Sequence, residues 1–180
     1  NPVTGTSNLV VVNGETGYDT LEAAMAEAKP VDGTITYTIN GKVEVTSTDT
    51  WIRILPKNST ASKVAFVGSG TDAEICIANP TSILADNESN NDIDVSFENL
   101  TLSHPNGQWI CDVANASNYF TCWLRDTNAS DNTVTYTNCT FPNGVCNNQF
   151  GKTVFTKCDF TAASGWSLWH TGTGSSELTD

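Results

Sequence analysis

The sequence predicts an all-β fold in which short strands pile up as a stacked coil, with one helix near the N-terminus. Three observations carry this reading. Three stretches repeat one pattern: Val95-Ser-Phe97-Glu-Asn99-Leu100-Thr-Leu102, Val134-Thr-Tyr136-Thr-Asn138-Cys139-Thr-Phe141 and Thr153-Val-Phe155-Thr-Lys157-Cys158-Asp-Phe160. Tyr136 and Phe155 are 19 residues apart, Phe155 and Leu178 are 23, and the 39 from Phe97 to Tyr136 is about twice the shorter step, as if one unit were skipped. A unit this small cannot bury its own apolar face, so it lays that face on a neighbour and the core is built one layer at a time. Finally, apolar residues alternate with polar ones, the period of a half-buried strand, and the alternation loses phase at Asn99, Asn138, Lys157 and Asp180. Those positions are the expected corners between two strands of one layer.

In chain order, Leu9-Val10-Val11-Val12 closed by Asn13-Gly14 predicts a strand and turn. A helix follows, capped by Asp19 or Thr20, with Glu22 placed for a capping box after Asp19. Leu21, Ala24, Met25 and Ala28 share one face, and Pro30 ends it. Such a helix covers the strand edges and apolar side chains that a first layer exposes, so residues 1–33 are assigned as an N-terminal strand and capping helix and 34–180 as the layers. Strands are expected at Thr34–Ile39, Lys42–Thr46, Ile52–Leu55 and Lys63–Val67. Asn40-Gly41 also has the chemistry of a tight antiparallel hairpin, the main local argument against a purely parallel stack. Residues 84–92 form an acidic excursion before Ile93, and the chain is expected to continue past Asp180, which ends inside a repeat.

The two-strand unit with a polar, often asparagine-bearing corner resembles the right-handed parallel β-helix, the pectate-lyase-like solenoid, over roughly residues 34 to 180. The stretch Asp19-Thr20-Leu21-Glu22-Ala23-Ala24 ahead of the layers resembles the cap of modules from large surface proteins of Gram-positive, gut-dwelling bacteria. That resemblance implies an extracellular, secreted or cell-wall-attached location and attachment to a host protein, with immunoglobulin or another glycoprotein as candidates, or to a glycan. The fold resemblance also implies an alternative, a polysaccharide lyase or glycoside hydrolase fragment.

Composition narrows the partners. Charged residues make up 16% of the chain against a usual ~25%, and the net charge of −12 repels a phosphate backbone over most of the surface, which argues against nucleic acid. No run reaches the ~20 apolar residues of a membrane-spanning helix, so no insertion is expected.

The chemistry-bearing residues point to binding more than to catalysis. Lyases of the pectate-lyase-like fold need carboxylates for calcium with a nearby Arg or Lys, and its hydrolases need two or three carboxylates around one bond. Neither Arg53 nor Arg125 stands beside a carboxylate cluster in sequence, and the family's Asn-Thr-Asp, Asp-Asp and Gly-His-Gly elements are missing. No catalytic residue, metal site or cofactor is therefore assigned. For binding, Trp109 and Trp166 flank glycine-bearing loops, His104 lies on a loop after a strand, and Asp86, Glu88 and Asp92 belong to the acidic excursion. Phe97, Leu100, Tyr136, Cys139, Phe155 and Cys158 are assigned to the repeat core. None of the six cysteines shows C-x-x-C spacing. Cys139 and Cys158 occupy the Leu100 position and are expected as small apolar side chains, while the ~4.8 Å between adjacent strands also leaves a cross-layer disulfide open. Six Asn-x-Ser/Thr triplets, among them Asn99 and Asn138, are taken as accidents of an Asn-, Ser- and Thr-rich composition, because a glycan is not expected to fit at a repeat corner.

Overall fold

The computed structural model describes residues 8–86, 92–107, 119–124, 131–163, 167–170 and 172–180. They are mostly strand, with one short helix. The elements begin with β1 (Val10–Val12), β2 (Thr16–Tyr18) and α1 (Leu21–Glu27). The chain then cycles among three sheets. β3 (Thr34–Ile39), β4 (Lys42–Val45) and β5 (Trp51–Arg53) open the cycle, one strand to each sheet. β6 (Lys63–Gly68), β7 (Glu74–Ile77) and β8 (Ile83–Ala85) repeat it in the same order, as do β9 (Asp94–Glu98), β10 (Thr101–Ser103) and β11 (Phe120–Trp123). In the later circuits the second sheet shrinks to single bridges, Thr101 to Thr140 to Asp159. The other two sheets continue through β12 (Thr133–Thr137), β13 (Val145–Cys146), β14 (Lys152–Thr156), β15 (Leu168–Trp169) and β16 (Ser175–Thr179). Every pairing within these cycles is parallel. Among the described strands only β1 and β2 run antiparallel, at the edge of the first sheet beside β3.

The four expected early strands form within one residue of their expected starts and within two of their ends. The antiparallel hairpin does form, but at Asn13-Gly14, where both residues have positive φ (52° and 73°), the geometry of a tight primed turn. Asn40-Gly41 instead joins strands of two different sheets. Thr20 is the N-cap of α1, its hydroxyl accepting from the Ala23 amide at 3.2 Å. Glu22 forms no capping box. Its carboxylate accepts from the Thr46 amide, tying the helix to the end of β4. The predicted face, Leu21, Ala24, Met25 and Ala28, is buried in the main core.

That core is a column of rings. Tyr37, Phe66, Phe97, Tyr136 and Phe155 stand in register on the first sheet, stacked at centroid separations of 5.0, 4.8, 5.1 and 5.1 Å. Phe97, Tyr136 and Phe155 thus share one interior, as their spacing predicts, and Leu178 continues the register beyond Phe155. The 39-residue step is not two units. Phe97 and Tyr136 are direct strand neighbours, so this interval is a single enlarged circuit. A second set of rings, Phe120, Phe141 and Phe160, meets the column edge-on, with Leu100, Leu102 and Cys139 filling the same interior.

Three of the four expected corners are corners. Asn99, Asn138 and Lys157 all adopt the left-handed conformation, at φ 55°, 51° and 52°. A residue there reverses the inward alternation and lets the chain leave the first sheet for the second. Both asparagines are exposed. Of the expected acidic excursion, Leu84 and Ala85 belong to β8 and Asp86 is fully buried, while residues 87–91 lie outside the described residues.

Candidate binding face

The third sheet (β5, β8, β11, β13 and β15) separates its residues by alternation. Ile52, Leu84 and Cys122 stand in register and enter the main core. Their neighbours Trp51, Ile83 and Trp123 therefore project from the opposite face. There they join Tyr119, Cys146 and Trp169 in a second apolar cluster, separate from the main one. The Trp51 and Trp123 rings lie 5.8 Å apart, and those of Tyr119 and Trp169 lie 6.2 Å apart. Ala85 stands in register between Arg53 and Trp123; its small side chain leaves room for Trp123 to lean across toward Trp51. The Trp123 indole donates to the Asn147 carbonyl at 3.2 Å, which fixes the ring.

Trp123 and Tyr119 are buried, whereas Trp51 and Trp169 are only partly so. Trp51 borders a groove of about 520 Å³ between α1 and the third sheet. Glu22, Asp49, Arg53 and Lys57 line the groove beside Trp51. Arg53 donates to the Asp86 carbonyl, which holds its guanidinium against the sheet. The groove thus combines one aromatic ring with two acidic and two basic side chains, an arrangement suited to a polar ligand of low net charge.

Of the residues singled out from sequence, the described ones, His104, Asp86 and Asp92, do not line this groove. His104 is not solvent-facing but fully buried, its Nε2–H donating to the Ser82 carbonyl at 2.9 Å. Ser82 in turn donates to the Asp49 carbonyl at 2.6 Å, so His104 braces a connection between circuits. Burial pushes its pKa down. Asp86 is buried at the end of β8, and its charge adds to burial in raising the Cys122 thiol. Burial removes both residues from a contact surface. Asp92 is exposed ahead of β9, in the first sheet. Trp109, Trp166 and Glu88 lie outside the described residues. Sequence reasoning passed over Trp51, Arg53 and Trp169; the alternation of Trp51-Ile52-Arg53 around an inward Ile52 was the signal available. Of the core assignments, Phe97, Leu100, Tyr136, Cys139 and Phe155 are buried, and Cys158 packs against them half-buried.

No group of three or more His, Cys, Asp or Glu side chains placed to hold a metal ion is found among the described residues. No helix among them is long and apolar enough to cross a membrane. The chain matches no family model, no curated protein and no solved structure.

Proposed function

We propose that the chain is a non-catalytic binding module of a bacterial cell-surface or secreted protein, built as a right-handed parallel β-helix with α1 as its cap. Three parallel ladders visited in fixed rotation, with one ring column inside them, support the solenoid reading. The observation that carries the functional reading is the aromatic cluster outside the main core, with Trp51 and Trp169 only partly covered and the groove beside Trp51. Aromatic rings with a polar rim are the anchors of protein contacts and the platforms on which sugar rings stack. The ligand is a host protein, immunoglobulin or another glycoprotein, or its glycan. Polysaccharide cleavage is the alternative.

The test is a binding screen of the purified chain against immobilised immunoglobulin, host glycoproteins and a glycan array, repeated with Trp51→Ala and Trp169→Ala. Loss of an anchor ring should weaken the captured interaction by about 30-fold or more, the scale of a ~2 kcal/mol hot spot. Capture that survives both substitutions unchanged, or turnover of uronate polymers with added calcium, overturns the reading.

A further inference from the structure

We propose that Cys139 and Cys158 form a disulfide-forming pair, a covalent clasp between adjacent circuits that closes on exposure to a small-molecule disulfide. Four described cysteines, Cys76, Cys122, Cys139 and Cys158, are free. Cys76 is in register with Glu44 and Ser103, and Cys122 with Leu84, so among the described residues neither has a thiol as its register partner. Cys139 and Cys158 are different. Each directly precedes a member of the Thr140–Asp159 bridge, and the Asp159 amide donates to the Cys139 carbonyl at 2.8 Å. Parallel neighbours in register stand ~4.8 Å apart, inside the Cα range of disulfides. The sulfurs lie on the same side of the ladder: Cys139 Sγ is 3.4 Å from the Thr137 carbonyl and Cys158 Sγ is 3.4 Å from the Tyr136 carbonyl.

The two thiols are unequal, which orders the chemistry. Cys158 is half-buried and Cys139 fully buried. A hydrogen bond from Cys139 stabilises the Cys158 thiolate and lowers its pKa, while the same contact and burial hold the proton on Cys139. Cys158 thiolate attacks one sulfur of the external disulfide, forming a mixed disulfide and expelling one small thiolate. Cys139 then loses its proton and attacks Cys158 Sγ, breaking the mixed bond and releasing the second small thiol. Overall, two protein thiols are oxidised and one small disulfide is reduced to two thiols. An oxidising environment is consistent with the chain, since Cys146 is already disulfide-bonded.

The test incubates the folded chain with oxidised glutathione, alkylates free thiols and maps peptides without reduction. The expected product is a peptide pair linked through Cys139 and Cys158, with Cys76 and Cys122 alkylated only after unfolding. Cys139→Ser should stop at glutathione on Cys158. Cys158→Ser should leave Cys139 unmodified. The proposal is overturned if wild type, with its circular dichroism unchanged, keeps both thiols free or accumulates the glutathione adduct on Cys158. Because the wild-type map decides alone, a variant that fails to fold does not blunt the result, and the outcome does not depend on the ligand proposed for Trp51.

Discussion

The side-chain amide of Asn138 donates to the side-chain oxygen of Asn99 at 2.7 Å, across 39 residues of sequence. Both residues hold the left-handed backbone that turns the chain from the first sheet to the second, and Lys157 holds the same backbone in the next circuit. Left-handed φ costs most residues ~1–2 kcal/mol, and asparagine less. Lys157→Asn should therefore stabilise the chain by about 0.5–1 kcal/mol, and Asn138→Val should destabilise it by about 1–2 kcal/mol. Urea unfolding checks both; equal midpoints would show that the corner conformation carries no such cost.

Two tyrosines in one ring column make opposite predictions. The Tyr37 hydroxyl donates to the Ile54 carbonyl at 2.8 Å, whereas the Tyr136 hydroxyl is buried with no hydrogen-bond partner among the described residues. Tyr37→Phe strands a buried carbonyl and should cost about 1–3 kcal/mol. Tyr136→Phe removes a desolvated hydroxyl and should be neutral or stabilising by up to about 1 kcal/mol. Thermal melts of the two variants, compared with wild type, should move in different directions.

Gly68 sits in the corner register, below Asn99. A Cβ there would meet the Asn99 carbonyl oxygen at 2.0 Å and the Ala73 Cβ at 2.8 Å. Neither neighbour is the end of a flexible side chain, so Gly68→Ala should cost ~3 kcal/mol or more, at the upper end of overpacking penalties. A melting temperature within a degree or two of wild type would contradict the close approach.

His104 couples stability to acid. Burial lowers its folded pKa below the unfolded value of 6.5. The unfolded chain therefore binds a proton at a pH where the folded chain does not, and unfolding free energy falls as pH drops below about 6.5. The slope should approach, at most, ~1.4 kcal/mol per pH unit. His104→Gln should flatten the profile between pH 6.5 and 5. An unchanged slope in that variant would assign the acid sensitivity elsewhere.

Much of the interior was legible because strand chemistry repeats. Phe97, Tyr136 and Phe155 announce a column through spacing alone, and Asn99, Asn138 and Lys157 announce corners through the break in alternation. Tyr37 and Phe66 belong to the same column, yet they lie 29 and 31 residues from their next partners and share only the first half of the repeat, without the polar corner and the apolar residues after it, so spacing did not reveal them. The binding face was harder to find. A tryptophan in a short strand such as Trp51-Ile52-Arg53 points inward or outward according to pairing partners that are distant in sequence. His104 shows the converse, a polar residue on a glycine- and proline-rich loop that packing nonetheless buries.

The ring column keeps its 4.8–5.1 Å pitch whether the chain between successive rings is 19 residues long, as from Tyr136 to Phe155, or 39, as from Phe97 to Tyr136. Added sequence therefore leaves the spacing of the spine undisturbed. Selection on the length of a connection and selection on the spine therefore act on different residues.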